Sequence, residues 1–334
     1  MITAGTGTLL GSGVLNGLGL DPSTTGAGTV RDEEGSTAQA FRVQFDQMRQ
    51  LGQRTDPVLL LPLLKTQTQT VAELAVRASS QVRSKFLLLA ARFAEYAGWM
   101  AQESGDTRAA LALTADAVTL AQAGGDRDLA SYALVRRALV TFYAGEAQRT
   151  VALARGAQDG RLPPRIRGLA AQREAQGHAL AGDERACLTS LDRARTALSS
   201  AQRENTAWPV IGTAHLADPA AMVTGWCLYD LGRPKAAART LDQECARIPR
   251  QALRARTRYG MRRALAHAAT GEIEYACNIA QELLDAAVTV PSATVRADIA
   301  LLARELTRFR ANQAVRDLQP GLTRALRPVP ATSG

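Results

Sequence analysis

The chain has 334 residues, of which 46% are apolar and only 4% aromatic, and 40 basic against 31 acidic side chains give a net charge of +9. This apolar fraction argues against a disordered chain, and its many alanines favour closely packed helices. The four cysteines include no Cys-x-x-Cys pair, which argues against structural zinc and a disulfide scaffold and favours a reduced, cytoplasmic protein. No apolar stretch is long enough to span a membrane, and no signal peptide is recognisable.

Three regions follow one another along the chain. Residues 1–35 are rich in Gly and Thr and predict a flexible tail or linker. Helical periodicity then dominates residues 36–328, beginning with a helix that Ser36 could cap and that runs to about Leu51. Residues 329–334 are predicted to be a disordered C-terminus.

A glycine recurs within the helical region at intervals of 40, 37, 50 and 39 residues, usually followed by an acidic residue. Glycine favours a left-handed turn between two helices, and an acidic residue after it can cap the second helix. Each such pair therefore predicts the turn of a helix hairpin. The five turn glycines are Gly105, Gly145, Gly182, Gly232 and Gly271.

Small residues recur at fixed distances from these glycines, where the two helices of a hairpin would cross. Seven residues before the glycine stand Gly98, Ala138, Ala175, Gly225 and Ala264. Five residues after it stand Ala110, Thr150, Cys187, Ala237 and Ala276.

This pattern resembles the tetratricopeptide repeat over roughly residues 82–287. The usual period is 34 residues, so the helices or links here must be longer, and residues 203–219 form an insertion. The resemblance implies an all-α fold, a right-handed α-α superhelix of about seven helix pairs. Segments 56–79 and 292–326 would flank the array as the caps that a solenoid needs.

A second resemblance rests on residues 89–121, 168–183 and 207–237, the last of which contains "GWCLYDLGRPKAA". These segments are similar to the C-terminal repeat region of actinobacterial Xre-type helix-turn-helix transcription regulators. Residues 8–22, "TLLGSGVLNGLGLDP", resemble the linker of that family. The helix-turn-helix itself is absent, so the resemblance implies a sensing role in transcription regulation without sequence-specific nucleic-acid binding by this chain. The chain would be a free-standing sensor or would lack its first domain.

The tetratricopeptide resemblance also implies which first-helix residues line the concave groove. Trp99 and Trp226 share one offset, six residues before the turn glycine, which suggests a ligand pocket with aromatic anchors. Ordinary packing between repeats explains the same offset equally well. The expected groove residues are Arg92, Glu95, Trp99, Gln102, Tyr132, Val135, Leu139, Phe142, Gln172, Gln176, Met222, Trp226, Tyr229, Arg258 and Met261.

Four arginines at a spacing of four residues predict a stripe on one helix face. They are Arg250, Arg254, Arg258 and Arg262. Such a stripe is either an anion-binding surface or a solvated face that pairs with neighbouring acids.

No catalytic constellation is recognisable. His178 and His267 share a packing offset, His215 lies in the insertion, and none has metal-ligand spacing. We therefore expect no catalytic residue, no metal and no cofactor. The favoured function is a non-catalytic sensor module that binds a peptide, a small amphipathic molecule or a protein in its groove. A protein-interaction scaffold is the alternative, an enzyme built on the repeats is a weaker one, and a homodimer stays open.

Overall fold

The computed structural model describes residues 22–203 and 210–327. Within these ranges the chain forms fourteen α-helices and one 3₁₀ turn (Thr307–Phe309), and no strand. The helices are α1 (Pro22–Leu51), α2 (Pro57–Arg77), α3 (Ser80–Ser104), α4 (Thr107–Ala123), α5 (Leu129–Tyr143), α6 (Ala147–Arg155), α7 (Pro164–Leu180), α8 (Glu184–Gln202), α9 (Pro219–Asp230), α10 (Pro234–Ala246), α11 (Leu253–Ala269), α12 (Ile273–Thr289), α13 (Ala293–Leu306) and α14 (Gln313–Leu326). The expected all-α superhelix of tetratricopeptide-like hairpins is confirmed.

The five turn glycines lie between the paired helices, as the sequence predicts, with φ angles from 73° to 95°. At the first turn, the Asp106 carboxylate accepts a hydrogen bond from the backbone N–H of Ala109, at 2.8 Å, and caps α4. Asp183 caps α8 in the same way. Glu146 and Glu272 precede their helices without a side-chain cap, because an extra methylene carries the carboxylate beyond the position that an aspartate reaches.

Small residues lie where the paired helices cross, which confirms the two predicted offsets. A Cβ at Gly98 would stand 3.2 Å from the carbonyl oxygen of Ala110. A Cβ at Gly225 would stand 2.8 Å from Cγ of Leu241. The crossing is therefore too close for a larger side chain, and the helices approach through their backbones.

The first helix begins earlier than the sequence analysis predicts. Helix α1 begins at Pro22, and Ser36 lies inside it rather than at its start. Proline suits the first turn of a helix because it has no N–H to leave unpaired. The Glu34 carboxylate accepts a hydrogen bond from the Ser79 hydroxyl at 2.7 Å, which ties this part of α1 to the start of α3. Residues 1–21 and 328–334 lie outside the described residues, and the tail and domain limits stay predictions.

The corner between α1 and α2 reaches across the concave side and contacts the start of α11. The backbone N–H of Arg254 donates to the carbonyl of Gln53 at 2.9 Å. The backbone N–H of Ala255 donates to the side-chain oxygen of the same Gln53 at 3.2 Å. The N-terminal part thus contacts α11 across the superhelix, and the groove becomes a partly enclosed cavity.

A candidate ligand cavity inside the superhelix

The cavity lies between the first helices of successive hairpins, namely α3, α5, α7, α9 and α11, with α1 closing one side. It offers about 120 Å³ to the centres of water-sized molecules. At roughly 10–15 Å³ for each water, this is room for about ten waters. The cavity is therefore large enough for one or two side chains or a short acyl chain.

Eight of the expected groove residues line this cavity. They come from three hairpins and α11, and they are Arg92, Glu95, Trp99, Tyr132, Val135, Leu139, Gln172 and Arg258. In the first three hairpins they lie thirteen, ten or six residues before the turn glycine. These spacings belong to one face of an α-helix. The offsets therefore predict cavity-lining residues correctly in those hairpins where this face points inward.

Seven expected groove residues do not line the cavity. They are Gln102, Phe142, Gln176, Met222, Trp226, Tyr229 and Met261. Trp226 is 1% exposed, and the Arg262 guanidinium lies over its ring, 3.8 Å from the ring centroid. Its ring also packs edge-on against Phe142 and Tyr259. The prediction that Trp99 and Trp226 converge on one groove is therefore wrong, because α11 covers the matching face of α9.

One offset escaped the sequence analysis. Nine residues before the turn glycine stand Tyr96, Arg136, Arg173 and Val223, and all four line the cavity. This position completes the i, i+3, i+4, i+7 face of the first helix with the three expected offsets. The signal was present in the sequence, because two of the first four hairpins carry an arginine there.

The insertion that lengthens the third interval folds inward and forms a wall of the cavity. Arg165 of α7 donates to the carbonyls of Ile211 and Thr213 at 2.9 and 2.6 Å. Arg49 of α1 donates to the carbonyl of Gly212 at 2.9 Å. Gly212 has a φ of 73°, a conformation that a side chain would strain. Residues 204–209 of the insertion lie outside the described residues.

His215 of this loop lines the cavity, and burial, with a further contribution from Arg49, lowers the pKa of its imidazole. The phenol of Tyr132 donates to Glu95 at 3.2 Å. Burial raises the pKa of Tyr132, so the phenol stays neutral. These groups give the cavity fixed polar positions between apolar walls.

The arginine stripe does not form a surface. Arg250 is exposed but precedes the first turn of α11. Arg254 and Arg262 are buried, and Arg258 lines the cavity. Arg262 donates to Asp298 at 2.7 Å and to Asp230 at 3.2 Å. The prediction of a continuous anion-binding stripe is therefore wrong, because the helix face that carries it points into the molecule.

The two histidines at the shared offset belong to polar clusters on helix ends. His178 lies 3.6 Å from the Glu174 carboxylate, and His267 lies 3.0 Å from Asp242. Within the described residues, no group of three or more His, Cys, Asp or Glu side chains is placed to hold a metal ion.

Comparisons with known proteins give little beyond the fold. No family model matches the chain, and no curated protein matches it. Among solved structures, a crystal structure of a Rap protein complexed with competence and sporulation factor resembles it, with a TM-score of 0.49 and 12% sequence identity. The match covers 86% of this chain and 98% of the other.

None of the described helices combines the length and the apolar character that crossing a membrane requires.

Proposed function

We propose that this protein is a non-catalytic regulatory module that holds a peptide segment or a small amphipathic molecule in its interior cavity. The observation that carries the proposal is the partly enclosed cavity itself, whose walls combine apolar and charged side chains. Leu139, Leu169 and Val223 are less than 10% exposed and line it together with the rings of Trp99 and Tyr259. Such a mixture suits a ligand with an apolar body and a polar end.

The closure gives the ligand a way to act on the protein's shape. Helices from the N-terminal part (α1 and α3) and from the C-terminal part (α11) contribute to the same walls. A ligand that contacts both parts binds the closed superhelix more tightly than an opened one. Only such a difference in affinity can shift the population between two shapes and transmit a signal.

A more specific part of the proposal is that the protein is related to Xre-type transcription regulators. In that role, ligand binding to the module would change its interaction with a DNA-binding partner, and the module would bind no operator by itself. Arg254 and Arg262 are buried and cannot reach phosphates, which supports this view. Gel shifts at physiological salt with this chain alone should show no complex that survives scrambled competitor DNA.

The test begins with native mass spectrometry of protein purified from its own host, which reports ligand and oligomeric state together. Leu139→Trp should fill the cavity and remove the co-purifying mass. Leu180→Trp is the matched control, because Leu180 lies on α7 with 39% of its surface exposed. A ligand retained by Leu139→Trp, or no ligand on the wild-type protein, would contradict the proposal.

A protein-binding scaffold or homodimer has one specific observation in its favour. The outer face of α2 exposes Leu59 and Leu63, by 66% and 50%, one helical turn apart. Exposed apolar residues on one face indicate a protein contact. Light scattering of the Leu59→Glu/Leu63→Glu double variant would show whether this face makes an oligomer.

A further inference from the structure

The charges that line the cavity do not balance. Two carboxylates stand against six arginines in the part of the wall that the structure describes. The carboxylates are Glu95 and Glu103, and the arginines are Arg49, Arg92, Arg136, Arg173, Arg254 and Arg258. Uncompensated charge inside a protein is costly, so the partner of each arginine decides what the wall can bind.

Four of these arginines have partners that fix them. Arg49 donates to the carbonyl of Gly212, Arg92 pairs with Asp126, Arg136 with Glu95, and Arg254 with Glu103. These contacts hold the walls of the cavity together, although Nη1 of Arg92 and Nε of Arg136 are buried without a hydrogen-bond partner and Arg49 has only a neutral carbonyl partner.

Arg258 and Arg173 differ from the other four. Arg258 donates from Nη2 to the hydroxyl of Tyr143 at 2.7 Å, and its Nε is buried without a hydrogen-bond partner. Its guanidinium lies 5.4–5.7 Å from the ring centroids of Trp226, Tyr143 and Tyr259. No carboxylate of the described residues is within 4.0 Å of it. These rings orient the cation but do not neutralise it.

Arg173 of α7 has neither a hydrogen bond nor an ion pair with any residue in the described ranges. Burial, followed by the charge of Arg258, lowers the pKa of its guanidinium to about 10. The guanidinium of Arg173 therefore stays protonated at neutral pH, and the positive charge of Arg258 repels it. Two cations from α7 and α11 thus line one cavity, and neither forms an ion pair with a described residue. Burial lowers the pKa of Arg258, but Tyr143, Tyr259 and the more distant carboxylates of Glu103 and Asp298 outweigh burial and raise it.

We infer that Arg173 and Arg258 form a subsite for a carboxylate of the ligand, an inference that rests on the proposed ligand-binding role of the cavity. Each guanidinium group carries several N–H donors, and a guanidinium fork matches the two oxygens of a carboxylate. The remaining wall supplies apolar surface at Leu139, Leu169 and Val223, which suits the adjoining part of the ligand. The apolar side chains beside the two arginines suit a singly charged carboxylate better than a doubly charged phosphate, because the higher charge costs more to remove from water. The carboxylate is the end of a peptide or the head of a small apolar acid.

The first experiment measures the unliganded protein, and it does not require a known ligand. The full chain is dialysed into a chloride buffer free of carboxylates, and thermal unfolding is followed. Arg173→Met should raise the Tm by about 2 °C, because it removes one of two mutually repelling cations and keeps an apolar stem. Arg239→Met, at an exposed position of α10, is the matched control and should leave the Tm unchanged. A lower Tm for Arg173→Met would overturn the proposal, because it would show that Arg173 has a stabilising partner.

The second experiment uses two matched pairs of defined probes. The first pair is octanoate and octanamide. The second pair is a hexapeptide mixture with free C-terminal carboxylates and the same mixture with amidated C-termini. Calorimetric titration should show at least one acid bound about tenfold or more tightly than its amide, since a charge-assisted hydrogen bond contributes about 1.5–3 kcal/mol. Arg173→Met and Arg258→Met should each weaken that acid at least tenfold, and Arg239→Met should not. Whichever acid binds identifies the source of the carboxylate.

The two proposals fail in different ways. Equal binding of acid and amide would leave a ligand-binding cavity but overturn the carboxylate subsite. Full affinity for the acid in Arg173→Met would do the same. Binding of no probe by the wild-type protein, with no ligand carried from the host, would overturn both.

Discussion

Arg254 and Glu103 form an ion pair at 3.5 Å, with 2% and 1% of their side chains exposed, although they lie on α11 and α3. The guanidinium of Arg254 also donates to the carbonyls of Gly52, Thr55 and Pro291 at 2.7–3.0 Å. The Glu103 carboxylate accepts from the indole of Trp99 and the hydroxyl of Thr294, both at 3.1 Å. One buried polar cluster thus joins the N-terminal corner, α3, α11 and the start of α13.

Removal of Arg254 should open this junction. The Arg254→Met variant leaves three buried or partly buried carbonyls and a buried carboxylate without their donor, and we expect a loss of about 3–5 kcal/mol in the free energy of unfolding. Urea denaturation measures the loss. Arg250→Met is the control, because Arg250 is exposed and lies outside α11, and its effect should stay within about 0.5 kcal/mol.

The same junction allows a stricter test of the charge itself. The double variant Arg254→Met/Glu103→Leu removes both charges, and it should recover part of the stability that Arg254→Met alone loses. A single variant that unfolds like the wild-type protein would show that the pair does not hold the superhelix closed.

The two tryptophans at the shared offset should respond differently to truncation. Trp226→Ala empties a fully buried site and should lower the free energy of unfolding by about 3–5 kcal/mol. Trp99 is only half-buried and lines the cavity, so Trp99→Ala should cost less stability and weaken the binding of any cavity ligand. Chemical denaturation of both variants, with calorimetry of the carboxylate probes, separates the two roles. Equal losses of stability would contradict the assignment.

Glu174 should make stability sensitive to acid. Burial alone raises the pKa of this carboxyl, but hydrogen bonds from Gln158, Arg155 and Arg193 outweigh burial and lower it below 4.5. Because the folded-state pKa is the lower one, the stabilisation is complete above pH 4.5 and is lost as the pH falls through the folded value. His178, 3.6 Å away, faces the same carboxylate.

The Glu174→Gln variant checks this expectation. It should be less stable than the wild-type protein at pH 7, and the difference should shrink when urea unfolding is repeated below pH 4.5. Glu282→Gln serves as the control, because Glu282 is exposed on α12. A difference that stays constant from pH 7 to pH 3.5 would show that the hydrogen bonds do not favour the ionised form.

The inserted loop should become accessible when Arg165 is removed. Arg165→Met deletes the two hydrogen bonds that hold the carbonyls of Ile211 and Thr213, so the loop loses its anchor on α7. Limited digestion with thermolysin should then cut between residues 210 and 216 several-fold faster than in the wild-type protein. Arg167→Met removes only a bond to Leu162 of the preceding loop and should not change this cleavage. Unchanged cutting in Arg165→Met would mean that other contacts hold the loop.

The hairpin architecture could be predicted because its determinants are local. A glycine such as Gly232 adopts a positive φ within one turn, and the small residue Gly225 is needed seven positions earlier because two neighbouring helices cross there. The helix start at Pro22 could not be predicted in the same way, since the glycines around it favour a linker by composition alone.

The candidate site was predictable where the repeat geometry is regular. In α3 and α5 the expected offsets place Trp99 and Tyr132 at the cavity. In α9 the same offset gives the buried Trp226, because Arg262 and Tyr259 of the following hairpin cover that face. The missed Arg173 lies on the face that the other offsets already define, so a complete helical projection would have included it.

The sequence by itself determined the helix pairs, their glycine turns and their close crossings, since these depend on residues near one another in the chain. Only the tertiary structure decided that the groove is closed, because closure depends on Gln53 and Arg254 meeting across the superhelix. The same is true of the arginines, which composition presents as a basic helix face. Whether each guanidinium is paired, stacked or left facing a cavity depends on partners from distant helices, and no local spacing records them.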